Sequence, residues 1–367
     1  MLERGRISNR QAIFLIVTTI IPTSIMLLPH SMYDEARQDA WVSVLIVTAY
    51  GLLAGEIIGR LGKRFPEDTI IGYSKKLLGK FLGWIIGIVY VGFFVYIAAI
   101  VLREFSELLT ANFYNETPQV VFVIWLVIAA IYVVRHGLEV LCRVNDTVLP
   151  LIVFMLMVII LFIIPVIMPG NLFPVFEKGI IPAVKGAIPA SVFFFEIFIM
   201  LMLTPCLTRP AKVQSVIRKA ILSVGAIQLL VVMAVILVLG QQTIIILFPT
   251  LQMAREIRLY PYLYNVDPLV VMIWIMGGFI KVSVFHYCST LAASQLLRLK
   301  SYGVTSIAMG LVIGILSVKL WEDAVELSYI IKNIIPPFFL LMGVIIPLFL
   351  LVIAVISKKG GSEDAGT

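Results

Sequence analysis

Two charged residues lie inside stretches that are otherwise apolar. Glu196 falls within residues 189–200 and Lys281 within residues 274–287. A charge at mid-membrane is unfavourable and usually serves a function. We interpret Glu196 as a group that exchanges a proton or pairs with a substrate ammonium, and Lys281 as an ammonium that replaces a sodium ion or exchanges a proton. Phe193 is expected to wall an apolar pocket beside them. The alternative for both charges is a place beside a water-filled crevice with no specific role.

A third candidate is the middle of the first apolar stretch, where Pro22, Thr23, Ser24 and Ile25 follow one another. Proline removes a backbone donor and disturbs a helix. A helix interrupted here would present free N–H groups and a positive helix end to a substrate carboxylate. We therefore predict that the first helix is broken at this point and that these four residues contact a ligand. The alternative is a simple proline kink, with the hydroxyls bonded to their own helix.

The composition indicates that these residues belong to a membrane protein. Of the 367 residues, 61% are hydrophobic and 13% are charged, whereas soluble domains carry roughly 25% charged residues. Each membrane-spanning helix uses about 20 apolar residues. The prediction is an all-α polytopic protein with one membrane domain over residues 1–367 and ten spans. These fall near 12–29, 41–59, 81–102, 119–134, 148–168, 188–205, 220–240, 268–296, 304–320 and 334–356.

The charge distribution predicts the orientation. With the N-terminus placed inside, 19 of the 28 lysines and arginines lie on the inner side, and 12 of the 21 acids lie on the outer side. Lysine and arginine gather on the cytoplasmic side of membrane proteins, so both termini are predicted to be cytoplasmic. The net charge of +7 is assigned to this bias and not to nucleic-acid binding. The first helix is expected to be retained, and residues 358–367 are expected to form a disordered tail.

An internal repeat is suggested by two segments that are too short and too polar to span. Residues 66–80 follow the second span, and residues 246–259 follow the seventh. Each mixes apolar and charged residues, as an interfacial or re-entrant helix does. We predict two five-helix repeats, 11–168 and 188–357, related by inversion as in transporters with a mid-membrane substrate site. The alternative is a chance occurrence of two amphipathic loops.

Other chemistries lack the residues that they need. The three histidines are scattered and the three cysteines have no paired spacing, so no metal site, disulfide framework or cofactor is predicted. The sequence has neither a phosphate-binding loop nor a hydrolase motif. The expected class is therefore neither an ATP-driven pump nor an enzyme.

Several segments occur together in an order that carries a family resemblance. They are Ile7-Ser8-Asn9-Arg10-Gln11, Met26-Leu27-Leu28-Pro29, Gln38-Asp39-Ala40-Trp41, Arg64-Phe65-Pro66, Leu78-Gly79-Lys80-Phe81-Leu82-Gly83, Phe176-Glu177-Lys178-Gly179-Ile180-Ile181-Pro182 and Phe248-Pro249-Thr250-Leu251. Over residues 7–357 the chain resembles the B subunits of spore-germination nutrient receptors. That family is a branch of the amino-acid/polyamine/organocation transporter superfamily.

The resemblance implies a LeuT-like fold of five plus five inverted helices, with helices 1 and 6 interrupted. It implies a place in the spore inner membrane beside receptor A and C subunits. It also implies a germinant-binding role, with a small nutrient such as an amino acid held mid-membrane. One departure is that Pro22-Thr23-Ser24 stands where relatives often carry Gly-x-Gly, so the pocket is expected to differ in shape.

Two other functions fit the same residues. One is a secondary transporter that moves amino acids together with protons. The other is a structural membrane subunit that binds no nutrient and holds its partners together.

Overall fold

The protein is a bundle of helices. The computed structural model describes residues 5–257, 266–321 and 334–360, without the side chain of Asn112. Apart from an isolated bridge between Ile7 and Leu207, the regular structure of these ranges is helical. The α-helices are α1 (Asn9–Ala36), α2 (Ala40–Arg64), α3 (Ile70–Asn112), α4 (Gln119–Arg135), α5 (Leu138–Ile163), α6 (Ile181–Phe195), α7 (Met200–Leu203), α8 (Val213–Leu239), α9 (Pro249–Arg255), α10 (Asp267–Leu296), α11 (Gly303–Lys319), α12 (Ile335–Leu340) and α13 (Ile346–Ile356).

Each of the ten predicted spans is matched by a helix. Seven segments of the described chain are long and apolar enough to cross a membrane, and the first of them, Asn9–Arg64, contains both α1 and α2. Two shorter apolar helices are α4 and α11. Several helices begin about seven to ten residues before the predicted spans, because their first turns carry polar residues that a hydrophobicity criterion leaves out. The chain is an integral, multi-pass membrane protein.

The centre of the bundle is α1. It packs against α6, α8 and α10, and in part against α5 and α9. Its residues are buried on all sides, as expected for a helix enclosed by other helices. The peripheral helices instead expose large apolar side chains, including Trp125 on α4, Leu161 on α5 and Leu311 on α11. These side chains form the surface that faces lipid.

The predicted break in the first helix is wrong. α1 runs without interruption from Asn9 to Ala36 although Pro22 and Pro29 lie inside it. It begins with a capping box between Ser8 and Gln11, and neighbouring helices enclose its middle. This packing and the bond to the Ile25 carbonyl described below hold α1 in place, and helical geometry persists through both prolines.

The sixth span departs from α-helical geometry at Glu196. α6 ends at Phe195, a 3₁₀ turn covers Glu196–Ile199, and the short α7 follows. The tighter 3₁₀ turn changes the direction of side chains relative to an α-helix. Glu196 is the first residue of this turn, so the direction of its side chain depends on an irregularity in the backbone.

The two segments that suggested a repeat both contain short helices. The first forms the start of α3, where Gly79 adopts φ 83° and separates residues 70–78 from the long span. The second contains α9. Both pack inward, since Ile70, Tyr73 and Met253 are buried. The boundaries of the two repeats remain a prediction.

A bond from α9 compensates for the missing donor of Pro29. In a helix the carbonyl of Ile25 would accept from the N–H of residue 29, which proline lacks. The hydroxyl of Thr250 donates to this carbonyl instead. Both residues are buried, so the bond ties α9 to the middle of α1.

Replacing Thr250 by valine is expected to destabilise the protein. The Ile25 carbonyl would be left buried without a donor, which lowers the free energy of unfolding by about 1–2 kcal/mol. Thermal unfolding in detergent measures this effect. Thr18→Val is the matched control, because the Thr18 hydroxyl bonds to the Phe14 carbonyl of its own helix. Equal midpoints for the two variants would contradict the assigned role.

The first residues of the predicted C-terminal tail contact the helices. Arg64 donates through Nε to the backbone carbonyl of Lys359 at 2.7 Å, and the Lys359 ammonium donates to the Lys76 carbonyl at 2.9 Å. Residues 358–360 are therefore held against the ends of α2 and α3. Residues 361–367 lie outside the described residues.

Candidate functional site

The two intramembrane charges form a buried ion pair. The Lys281 Nζ lies 2.6 Å from Oε1 of Glu196. Their side chains are 1% and 3% exposed. Lys281 is in the middle of α10 and Glu196 opens the 3₁₀ turn after α6. The pair therefore connects two of the helices that surround α1.

The same ammonium reaches α1. Lys281 Nζ donates to Oγ1 of Thr23 at 2.6 Å and lies 5.5 Å from the centre of the Phe193 ring, over its face. An ammonium over an aromatic face is stabilised by the ring quadrupole. Four of the seven predicted site residues, Thr23, Phe193, Glu196 and Lys281, are thus brought together. That they bind a ligand stays a prediction.

Each charged residue of the pair keeps hydrogen-bonding capacity in reserve. An ammonium has three donors, and Lys281 uses two of them for Thr23 and Glu196. The second carboxylate oxygen of Glu196, Oε2, is buried and has no hydrogen-bond partner among the described residues. A buried polar atom without a partner is unfavourable. The pair therefore keeps one donor, on Lys281, and one acceptor, on Glu196, without a hydrogen-bond partner among the described residues.

A second acid next to the pair was missed by the sequence analysis. Glu104 of α3 interacts electrostatically with both Lys281 and Glu196. The predicted third span ended at residue 102, so the charges that follow were assigned to a loop, whereas α3 continues to Asn112. The signal that could have found it is the apolar residues that continue beyond Glu104, at 105, 108 and 109. Two carboxylates facing one ammonium favour a further positive group in the site.

The other three predicted residues serve the packing of α1. The Ser24 hydroxyl lies 3.1 Å from Oε1 of Gln228 on α8, and the Gln228 amide donates to the Ser24 carbonyl at 3.3 Å. The backbone carbonyl of Ile25 accepts from Thr250. Pro22 packs on α10 at Gly277. These contacts fix α1 against three neighbours, so Thr23 is the residue of this run that reaches the ion pair.

Gly277 allows α1 and α10 to approach at the level of the site. A Cβ atom placed on Gly277 would lie 2.0 Å from Cγ of Pro22, which is far inside van der Waals contact. Gly277 lies one turn before Lys281, and residues four apart share a helix face. The close approach at Pro22 therefore sets the distance between Thr23 and Lys281.

An aromatic cluster lies on the elements that carry the ion pair. The ring of Phe198 lies 5.1 Å from Phe93, 6.0 Å from Phe285 and 5.9 Å from Phe339. Phe198 is two residues after Glu196, and Phe285 is one turn after Lys281. Aromatic pairs at these separations are favourable, so the cluster ties α3, α10 and α12 to the turn that carries Glu196.

Comparison with known proteins identifies the relatives of this architecture. A family model described as "Spore germination protein" matches residues 6–323. Spore germination protein KB of Bacillus subtilis (strain 168) is 30% identical over 371 residues, covering 100% of this chain and 99% of the relative.

Two solved structures share the fold. MhsT in complex with L-phenylalanine aligns with a TM-score of 0.65 at 12% identity, covering 96% of this chain and 99% of MhsT. Mhp1, a nucleobase-cation-symport-1 family transporter, was solved with bromovinylhydantoin bound. It aligns with a TM-score of 0.65 at 11% identity, and the alignment covers 97% of this chain and 79% of Mhp1.

Proposed function

Because the chain belongs to the family of spore germination proteins, we propose that it is the B subunit of a germinant receptor. A small nutrient binds mid-membrane between α1, α6 and α10, and binding triggers germination together with receptor A and C subunits. The observation that carries the proposal is the buried Thr23–Lys281–Glu196 cluster with its reserve of hydrogen-bonding capacity.

An amino acid is the nutrient class that suits this cluster. Its carboxylate would accept from the remaining donor of Lys281, and its ammonium would donate to Oε2 of Glu196. Charge-assisted bonds of this kind are roughly twice as strong as neutral ones. Phe193 would wall the side-chain pocket. The relative MhsT, which has the same fold, was solved with an amino acid bound.

Binding would act by changing the arrangement of helices. The ion pair now bonds α1, α6 and α10 to one another. A ligand that takes over one bond of Lys281 or Glu196 would weaken that connection and favour a second arrangement, and the partner subunits would sense this change. A ligand shifts such an equilibrium only by its difference in affinity for the two states. In this proposal the protein lies in the spore inner membrane with both termini cytoplasmic.

The second candidate is a proton-coupled amino-acid transporter. The observation that favours it is the pair of acids, Glu104 and Glu196, beside one buried lysine, since acids in a transporter core often relay protons. A receptor differs from a transporter in that it binds the nutrient without moving it across the membrane.

The two candidates are separated by measurements on the full chain in sealed liposomes. Pooled labelled amino acids are tested for saturable binding and for accumulation inside, with and without a proton gradient. The proposal predicts saturable binding without accumulation. Gradient-dependent accumulation would assign the protein to transport. If neither the chain alone nor the chain with its A and C subunits bound any amino acid, the nutrient-binding proposal would be contradicted in favour of a structural subunit.

A further inference from the structure

A basic groove lies between the first turns of α1 and α8, away from the ion pair. Its volume is about 770 Å³. Four cations and no acid line it, namely Arg10, Lys212, Arg218 and Lys219. All four are exposed. The groove therefore presents concentrated positive charge to its surroundings.

Two of these cations have no carboxylate partner among the described residues. Arg10 lies 3.7 Å from Asp146, and Arg218 lies 3.9 Å from Glu56. For Lys212 and Lys219, the described ranges 5–257, 266–321 and 334–360 provide no carboxylate within ion-pair distance. Uncompensated lysines in a concave surface attract an anion from outside.

Apolar residues also line the groove. Ile13 and Phe14 of α1 and Val216 of α8 line it. Both helices belong to membrane-spanning segments that begin at this level, Asn9–Arg64 and Pro210–Ile244. The groove therefore lies where the hydrocarbon layer meets the headgroup region. A soluble anion would use the cations alone, whereas a phospholipid would use both the cations and the apolar wall.

We propose that this groove binds the headgroup phosphate of an anionic phospholipid, with the upper part of an acyl chain against Ile13 and Phe14. Basic pockets between membrane helices recognise anionic lipids in this way. Because α1 also carries Thr23, a lipid that bridges α1 and α8 would hold the helix that reaches the ion pair. Lipid binding and nutrient binding are measured separately, so this inference stands or fails independently of the receptor role.

Native mass spectrometry of the delipidated full chain tests the proposal. Phosphatidylglycerol is titrated against phosphatidylcholine with the same acyl chains, and inorganic phosphate is added in a third arm. The expected result is preferential binding of phosphatidylglycerol. The double variant Lys212→Gln/Lys219→Gln is expected to lose roughly 30-fold in affinity, since each lysine near an anionic lipid contributes about fivefold.

The matched control is the double variant Lys63→Gln/Lys300→Gln. Both of its lysines are exposed. Lys63 lies in the last turn of α2 and Lys300 follows the end of α10, and neither lines the groove. It is expected to bind phosphatidylglycerol within about twofold of the unchanged chain. Equal affinity for the two lipids, or equal losses in the two double variants, would overturn the proposal. Displacement of the lipid by inorganic phosphate at comparable concentration would assign the groove to a soluble anion instead.

Discussion

Replacing Lys281 by methionine is expected to abolish nutrient binding and to destabilise the protein. Methionine removes the ammonium from Thr23 and leaves Glu196 buried without its partner. Breaking a buried ion pair by removing one member lowers stability by about 3–5 kcal/mol. Thermal unfolding of the purified chain measures the stability, and the liposome assay measures the binding.

A double variant separates the two effects. Lys281→Met combined with Glu196→Gln removes both charges of the ion pair. Because neither charge is then left buried without its partner, stability is expected to recover in large part. Binding is expected to stay lost, because the donor for the nutrient carboxylate is absent. A stable double variant that binds the nutrient as well as the unchanged chain would show that the ion pair is only structural.

Replacing Gly277 by alanine is expected to disturb the site without touching any of its side chains. The added Cβ would lie 2.0 Å from Cγ of Pro22, and the proline ring cannot move without its backbone. Overpacking of this kind lowers stability by about 1–3 kcal/mol. Because α1 must move away from α10, the bond between Thr23 and Lys281 lengthens and nutrient affinity falls by about tenfold, the loss expected for one charge-assisted hydrogen bond. Thermal unfolding and the liposome binding assay measure the two losses.

The matched control for this substitution is Gly92→Ala in α3. No atom lies within 4 Å of a Cβ placed on Gly92. Alanine also has a higher helix propensity than glycine, so this variant is expected to be as stable as the unchanged chain or slightly more so. If Gly277→Ala behaved like Gly92→Ala in both stability and binding, the close approach at Pro22 would have no role in the site.

The sequence identifies charges inside the membrane but not their partners. Glu196 and Lys281 can be found in the sequence because each interrupts an apolar run. Phe193 was selected because it lies close to Glu196, and Thr23 because it follows Pro22. The ion pair itself depends on how α1, α6 and α10 are rotated and shifted relative to one another. These rotations follow from packing such as Pro22 against Gly277, which a single sequence does not encode in any local pattern.

The helix interruption shows the same limit. Pro22 and Pro29 remove two backbone donors from α1, and local rules predict a break. For Pro29 the structure compensates through a distant residue, since Thr250 supplies the donor for the Ile25 carbonyl, and the bonds between Gln228 and Ser24 hold the middle of α1 against α8. In the sixth span, by contrast, the expected irregularity occurs at Glu196. The local prediction from Pro22 therefore failed because tertiary contacts enclose α1, whereas the interruption of helix 6 was implied by the family resemblance.

Glu104 illustrates a different error. A hydrophobicity criterion ends a span at the first charges, and Arg103 and Glu104 follow residue 102 directly. In the structure Arg103 pairs with Glu107 at 2.6 Å, and the helix continues past both. A charged turn that is paired within itself can therefore extend a membrane helix and carry an acid to the site.

The position of the bound nutrient in a structure of the complex tests the account most directly. The full chain is purified with the amino acid that the liposome assay identifies, and the complex is solved with the ligand present. The account predicts a nutrient carboxylate about 3 Å from Nζ of Lys281 and a nutrient ammonium about 3 Å from Oε2 of Glu196. A nutrient bound elsewhere, with the Thr23–Lys281–Glu196 cluster unchanged, would contradict it.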